Sequence, residues 1–197
     1  MKSVMLSIRP KWCKKIIDGE KTVEVRKTRP TMETPFKCYI YCTNPQTKDP
    51  HQILEKHTDG KIYRCNGKVI GEFICNEISR IAIPYPAYQH LLDRRWMDKS
   101  CLTYMELHRY CYHDDAYFWH ISGLKIYDKP KALGEFPSFC KGYEDGECAI
   151  WQKTGCEYQK KDYNPDGVLN VCECVKRMQR APQSWCYVEE REENDVE

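Results

Sequence analysis

The chain has no apolar run approaching the roughly 18 residues that cross a bilayer, so no membrane span is expected. It also lacks a signal-peptide core, because Val4–Ile8 is too short and leads straight into fold-like sequence. There is no internal repeat and no low-complexity tract, which excludes solenoids and compositional linkers. Nor is there a strong charge of one sign: the formal net charge is +2. A cytoplasmic location is therefore the expectation. The 13 Cys then argue against a disulfide framework, since the cytosol keeps thiols reduced. Their odd number also forbids complete pairing within the chain.

The distribution of charge says more than its total. Residues 1–30 hold nine Lys or Arg against three Asp or Glu, a local balance of +6. From Glu189 to Glu197 there are six acids and Arg191, a balance of −5, which leaves +7 on the rest. A modestly basic body suits a phosphate-bearing ligand. The acidic end reads as a solvated tail from about residue 189.

Val4–Ile8 reads as a strand. Arg9-Pro10 opens a helix, because proline suits the first helical position. Trp12, Cys13, Ile16 and Ile17 form its apolar stripe, and Gly19 ends it. Extended chain follows, with Val23 and Val25 on one face and Thr22, Glu24 and Arg26 on the other. Regular strand geometry sets Lys21 opposite Glu24, so the two meet only if Lys21 lies in the turn after Gly19.

Phe36–Cys42 is a strand, with Cys38, Ile40 and Cys42 on one face and Tyr39 and Tyr41 on the other. Thr43–Gly60 reads as a loop with one helical turn near Ile53-Leu54, and His51 and His57 as solvated loop residues. Lys61–Cys65 and Lys68–Cys75 flank Asn66-Gly67, which predicts a hairpin closed by a type I′ turn. Arg80–Tyr88, with Pro84 and Pro86, is expected to be irregular. Thr103 and Glu106 have capping-box spacing, flanked by Leu102 and Leu107, and start a helix to Cys111. Ala116–Ser122 is strand-like and continues through Leu124–Tyr127, after which Pro130 and Pro137 bracket a short connection. His113-Asp114-Asp115 reads as a solvated turn, and His120 as a hydrogen-bonded structural histidine with a cleft-facing acid/base as the sharper alternative. Strands with short helices and no long βα repeats imply an α+β fold built on a small barrel.

From residue 140 onward there are six cysteines in polar, loop-rich sequence. Structural zinc takes four thiolate or imidazole ligands, commonly in close pairs. Cys172 and Cys174 supply one pair, Cys148 and Cys156 complete the expected set, and Cys140 is the reserve. Four thiolates leave no open coordination position, so this zinc is expected to staple the segment. The spacings match no usual iron–sulfur run.

The segment Ser7-Ile8-Arg9-Pro10-Lys11-Trp12, then Ile16, then Gly19-Glu20-Lys21-Thr22-Val23-Glu24-Val25-Arg26, resembles the opening signature of ASCH domains, which are small PUA-like β-barrels. The Gly-x-Lys-x-x-Glu-x-Arg core is complete. The resemblance runs less sharply through Val69–Phe73 and Trp119–Ile121 to about Leu133. Beyond that the chain is similar to extended ASCH proteins of bacteria and their phages, including the Pro-Gln-Ser-Trp segment ending at Trp185. It divides into an ASCH barrel, 1–134, and a Cys-rich extension, 135–197, packed on it through a strand over Gln183–Val188.

The resemblance implies RNA or modified-nucleotide binding in a cleft beside the Gly-x-Lys-x-x-Glu-x-Arg segment. Lys21, Arg26 and Lys27 suit phosphates, and Glu24 can accept from an exocyclic amine. Trp12, Tyr104 or Trp119 could stack a base, although core packing is the default for both tryptophans. Ser7 and Arg9 would sit at the cleft edge. A second class is hydrolysis. Some small ASCH proteins are amidohydrolases acting on N4-acetylcytidine with a Lys, a Thr nucleophile and a Glu. Here the Lys is Lys21, Glu24 stands where the Thr would be, and no equivalent of the catalytic Glu is found before Thr103. Ribonuclease activity, with Lys21 and Glu24 as the catalytic pair, is the related alternative. A third class is a regulatory module that offers the extension to a protein partner.

Overall fold

The computed structural model describes residues 2–45, 52–112, 114–138, 143–144, 147–148 and 176–190. The elements are β1 (Lys2–Ile8), α1 (Pro10–Ile17), β2 (Val23–Arg26), β3 (Phe36–Cys42), β4 (Glu55–Thr58), β5 (Lys61–Arg64), β6 (Lys68–Ala82), α2 (Arg94–Ser100), α3 (Tyr104–Cys111) and β7 (Asp115–Ala132). The short strands β8 (Pro137–Ser138), β9 (Tyr143–Glu144), β10 (Glu147–Cys148) and β11 (Lys176–Arg177) follow, then β12 (Trp185–Glu189). The fold is α+β, and no helix among the described residues is long and apolar enough to cross a membrane.

One eight-stranded sheet runs in the order β11-β8-β12-β1-β3-β6-β7-β2. β1 and β3 pair in parallel, Val4 opposite Cys38 and Ile8 opposite Cys42, so the chain must cross over between them, and α1 makes that crossover. Arg9 precedes α1 with extended backbone, Pro10 fills the first turn, and Gly19, at φ 76°, closes the end. β12 pairs antiparallel with the other edge of β1, Leu6 opposite Trp185.

The centre of the sheet is buried on both faces, which is why β1 and β3 read as near-continuous apolar runs. Val4, Leu6, Ile8, Cys38, Ile40, Cys42, Phe73 and Trp119 build one core with Cys13 and Ile16 of α1. Met5, Tyr39, Tyr41, Phe136 and Val188 build another. Val23, Val25 and Phe118 pack with Trp96, Tyr104, Leu107 and Cys111 beneath α2 and α3. The cysteines of the cores behave as small apolar side chains. Burial pushes the thiols of Cys13 and Cys38 up, that of Cys65 to about 11 and that of Cys75 to about 12.

The long β6–β7 ladder slips register between Val69 and Gly71, between Glu72 and Ile74, and between Cys75 and Ile78. Each slip bends the strands and increases their twist. The sheet therefore curls until β2 comes round to face β1 and β12. No backbone ladder joins them among the described residues, and side chains bridge the seam. Arg26 donates to Ser184 Oγ at 3.3 Å, Trp185 Nε1 donates to Thr28 Oγ1 at 3.0 Å, and Thr31 N donates to the Tyr187 hydroxyl at 3.0 Å.

Three local expectations change. Asn66-Gly67 does not close a hairpin. β5 pairs instead with β4, inside the stretch read as loop, and the two-residue turn is Asp59-Gly60 with φ 53° and 68°. Both turns carry suitable residues, but a type I′ turn needs positive φ at both positions and Asn66 lacks it. Its side chain is committed elsewhere, accepting from Leu54 N at 2.9 Å and donating to Thr43 O at 3.2 Å and Gln52 O at 3.0 Å. Of the helical turn expected near Ile53-Leu54, Gln52 is in 3-10 conformation, whereas Ile53 and Leu54 are not helical and Leu54 enters the core. Finally, Arg80–Ala82 continues β6, and Pro86–Leu91 forms a 3-10 helix.

Asn66→Ala removes the acceptor of the buried Leu54 N–H and one donor each from Thr43 O and Gln52 O. We expect a stability loss of about 2 kcal/mol, read from the denaturant midpoint. Loss of less than about 0.5 kcal/mol, ordinary for a surface substitution, would contradict this anchoring role.

Candidate functional site

Lys21, Glu24 and Arg26 meet at the seam, and all three are buried, 2%, 7% and 5% exposed. Lys21 does lie in the turn after Gly19, ahead of β2, which is how it reaches the same side as Glu24. Its backbone N–H donates to Lys15 O at 3.0 Å, and the next N–H, of Thr22, donates to Lys99 O at 2.9 Å. The segment is thus pinned between the ends of α1 and α2. Lys21 Nζ donates to Ser100 O at 2.7 Å, lies 3.4 Å from Glu24 Oε2, and stands 5.3 Å from the centroid of the Trp12 ring.

Glu24 Oε1 receives Arg26 Nη2 at 3.1 Å, and the same nitrogen donates to Ser7 O at 2.8 Å. Nη1 reaches Ser184, as described above. Arg26 Nε is buried with no hydrogen-bond partner among the described residues, and so is Trp119 Nε1. The two cations and one anion leave a net +1 out of water. Desolvating each ion costs several kcal/mol, and a buried ion pair is commonly no better for stability than apolar packing. The seam therefore holds an unbalanced triad in which one guanidinium donor, Arg26 Nε, is unused among the described residues.

β2 was expected to present charge on one face and apolar residues on the other. The alternation holds, but the charged face is buried as well, because the curl turns it inward against β1 and α1. Ser7 is in the seam, with its carbonyl bound to Arg26 and its hydroxyl donating to Pro182 O at 2.6 Å. Trp12 is half-buried, with Lys11 Nζ 4.2 Å from its ring centroid on the exposed side. Arg9 and Lys27 are exposed. Tyr104 is not a stacking platform: it is buried in the core beneath α2 and α3, and its hydroxyl donates to Pro84 O at 2.7 Å. Trp119 is fully buried, edge-on to Phe36 at 5.7 Å.

Two contributors were not foreseen. α2, begun by Asp93 accepting from Arg95 N at 2.9 Å, supplies the carbonyl that holds Lys21, and this capping residue was its legible signal. Tyr110 of α3 is 38% exposed, with its hydroxyl beside Arg26 and Lys27 Nζ 5.4 Å from its ring centroid. Burial raises its pKa, Arg26 opposes the rise and Glu24 adds to it. Nothing in the sequence separates Tyr110 from its neighbour Tyr112.

His120 bonds Ser79 Oγ at 3.0 Å and stands edge-on to Trp96. Its pKa is lowered from 6.5 by burial, with Lys99 adding to the shift and Glu77 opposing it. Of the other polar cluster, Asp115 pairs with Arg80 and Asp114 is exposed, while His113 lies outside the described residues. Cys140, Cys156, Cys172 and Cys174 also lie outside them, and Cys148 is described only as backbone of β10. Among the described residues no cluster of three or more His, Cys, Asp or Glu could hold a metal.

No family model matches the chain, and no curated protein does. Among solved structures it is similar to the ASCH protein from Zymomonas mobilis, at 20% identity over 66% of this chain and 73% of that one, with a TM-score of 0.48. A tyrosine-to-phenylalanine mutant of that protein matches at 19% identity over 68% and 77%, with a TM-score of 0.48. A serine-to-alanine mutant matches at 20% over 65% and 70%, with a TM-score of 0.42. The likeness is distant and concerns the fold.

Glu24→Ala strands two buried cations. We expect a loss of about 3–5 kcal/mol, measured by urea unfolding, and a smaller loss for the exposed Lys27→Ala. Equal effects would contradict the triad. His120 should make stability pH-dependent. The unfolded histidine takes its proton near 6.5, and the folded one only at lower pH. Its contribution is therefore full above that pH and declines as pH falls through it, and His120→Gln should flatten the decline.

Proposed function

We propose that the chain binds RNA or a modified nucleotide at the seam, through Lys21, Glu24 and Arg26. The observation that carries this reading is the buried triad with its surplus positive charge and unused donors. A phosphate or base edge can satisfy such donors, whereas apolar packing cannot. Arg9 and Lys27 stand exposed where α1 begins and β2 ends, and suit the flanking backbone phosphates. Half-exposed Tyr110 supplies an aromatic face, taking the role that buried Tyr104 does not fill. A barrel of the ASCH, PUA-like kind, closed at the seam by side chains, is the architecture in which we place this site. On sequence grounds we retain Cys148, Cys156, Cys172 and Cys174 as a structural zinc set, and the extension as a surface for a protein partner.

The contact between Lys21 Nζ and Glu24 Oε2 favours one second reading, hydrolysis of RNA or of a modified nucleoside. An ammonium beside a carboxylate is a competent acid–base pair. Against it, Ser7 Oγ is committed to Pro182 O and Ser100 Oγ donates to Met97 O at 3.2 Å, so neither of these two hydroxyls is activated by the pair.

The test is anisotropy of labelled single-stranded RNA, some carrying N4-acetylcytidine, with the product recovered for mass analysis. Binding should weaken steeply with salt, fall about tenfold or more in Lys21→Ala, and leave the RNA intact. Cleaved or deacetylated product that vanishes in Lys21→Ala would replace binding by catalysis. Salt-insensitive binding, or no binding, would remove the nucleic-acid reading.

A further inference from the structure

The orphaned donors carry information about which ligand fits. Glu24 and Trp119 are direct partners in the β2–β7 ladder, so their side chains stand side by side on one face. Arg26 follows Glu24 by two residues and lies on that same face. Glu24 therefore neighbours both Trp119, across the ladder, and Arg26, along the strand, while those two lie diagonally apart. The far side of the seam confirms the grouping. Arg26 reaches Ser184, and the Trp119 ring lies 6.0 Å from the ring of Trp185, the next residue.

This face therefore groups two unpartnered donors, Trp119 Nε1–H and Arg26 Nε–H, with one acceptor, the Glu24 carboxylate, at the corner between them. Both donors are more than nine-tenths buried and unpartnered among the described residues. Indole N–H and guanidinium N–H can only donate. Glu24 uses one contact on each oxygen, to Lys21 and to Arg26, and a carboxylate offers about four lone-pair positions. The acceptor in the middle is therefore still available.

Complementarity then selects an edge that reads acceptor, donor, acceptor. An imide has that pattern, with a ring N–H between two carbonyl oxygens, and among the common bases it belongs to uracil and its 5-methyl form, thymine. Cytosine presents donor, acceptor, acceptor, and would set its ring nitrogen against the Glu24 carboxylate. Adenine has a similar conflict, and guanine presents only one carbonyl oxygen. We propose that the seam reads a uracil-type imide: Glu24 accepts the ring N–H, and Arg26 Nε and Trp119 Nε1 donate to the flanking oxygens. The proposal rests on the nucleotide-binding reading above and narrows it from any base to one hydrogen-bonding pattern.

The test compares three ligands on the wild-type chain by calorimetric titration: uridine, cytidine and 3-methyluridine monophosphates. The last keeps both carbonyls and blocks the ring N–H. Uridine monophosphate should bind about tenfold or more tightly than either of the others. In a nitrogen–proton NMR spectrum it should also move the indole N–H signal assigned to Trp119 by its absence in Trp119→Phe. That variant, checked for folding by circular dichroism, should bring the uridine-to-cytidine ratio toward one. Equal binding of all three ligands, or tighter binding of cytidine monophosphate, overturns the imide assignment alone and leaves a phosphate-led site in place. Failure of every nucleotide to bind, together with RNA indifferent to salt and to Lys21→Ala, overturns the underlying reading as well.

Discussion

Glu24, held out of water between two cations, is the constraint on which the rest of the architecture turns. A carboxylate on the last strand of a sheet would ordinarily face solvent. Here Lys21 and Arg26 compensate it, and each cation is then anchored to a different part of the chain. Lys21 is tied to the end of α2, and Arg26 to the backbone of β1 and to the segment before β12. One carboxylate thus links the β2 edge of the curled sheet to β1, to the segment before β12 and to the helical excursion between β6 and β7. Because each anchor accepts only one or two of the available N–H groups, the arrangement is fastened without being saturated.

The curl that makes the seam comes from elsewhere, from the slipped ladder between β6 and β7. A flat sheet would leave β2 as a distant edge with its charged face in water. The bulges bring that face inward, and what was a solvated strand becomes one wall of a core that also contains Trp119, Cys38 and Cys13. The price is a set of polar groups in a place where every hydrogen bond counts. Small, polarizable thiols fill the remaining space of this core. Their raised pKa values keep them in the neutral form there, consistent with packing rather than redox chemistry.

The helices matter through their ends. Capping by Asp93 and by the Thr103–Glu106 box sets where α2 and α3 start, and so where Ser100 O and Tyr110 come to rest. Lys11 of α1 pairs with Glu106 at 3.3 Å, an exposed contact that joins the first helix to the third more by position than by energy. Between them Trp12 is flanked by the ammonium groups of Lys11 and Lys21, so its ring divides solvent from the buried triad.

Local patterns were enough for much of this molecule. Alternation in Val23–Arg26 and Phe36–Cys42, proline opening α1 and the box before α3 are short-range signals, each decided by backbone sterics or by a hydrogen bond within a few residues. The same signals failed where two segments competed. Asn66-Gly67 and Asp59-Gly60 both suit a tight turn, and the choice fell to Asp59-Gly60 because Asn66 is needed to hold Leu54, Thr43 and Gln52. The charges of the site were legible as residue types. Their burial, the convergence of Lys21 on Glu24, the arrival of Tyr110 and the burial of Tyr104 were not. Those depend on how far the sheet curls and on which helix end meets the turn after Gly19. Such distances are set by contacts between residues scores of positions apart, and no local pattern records them.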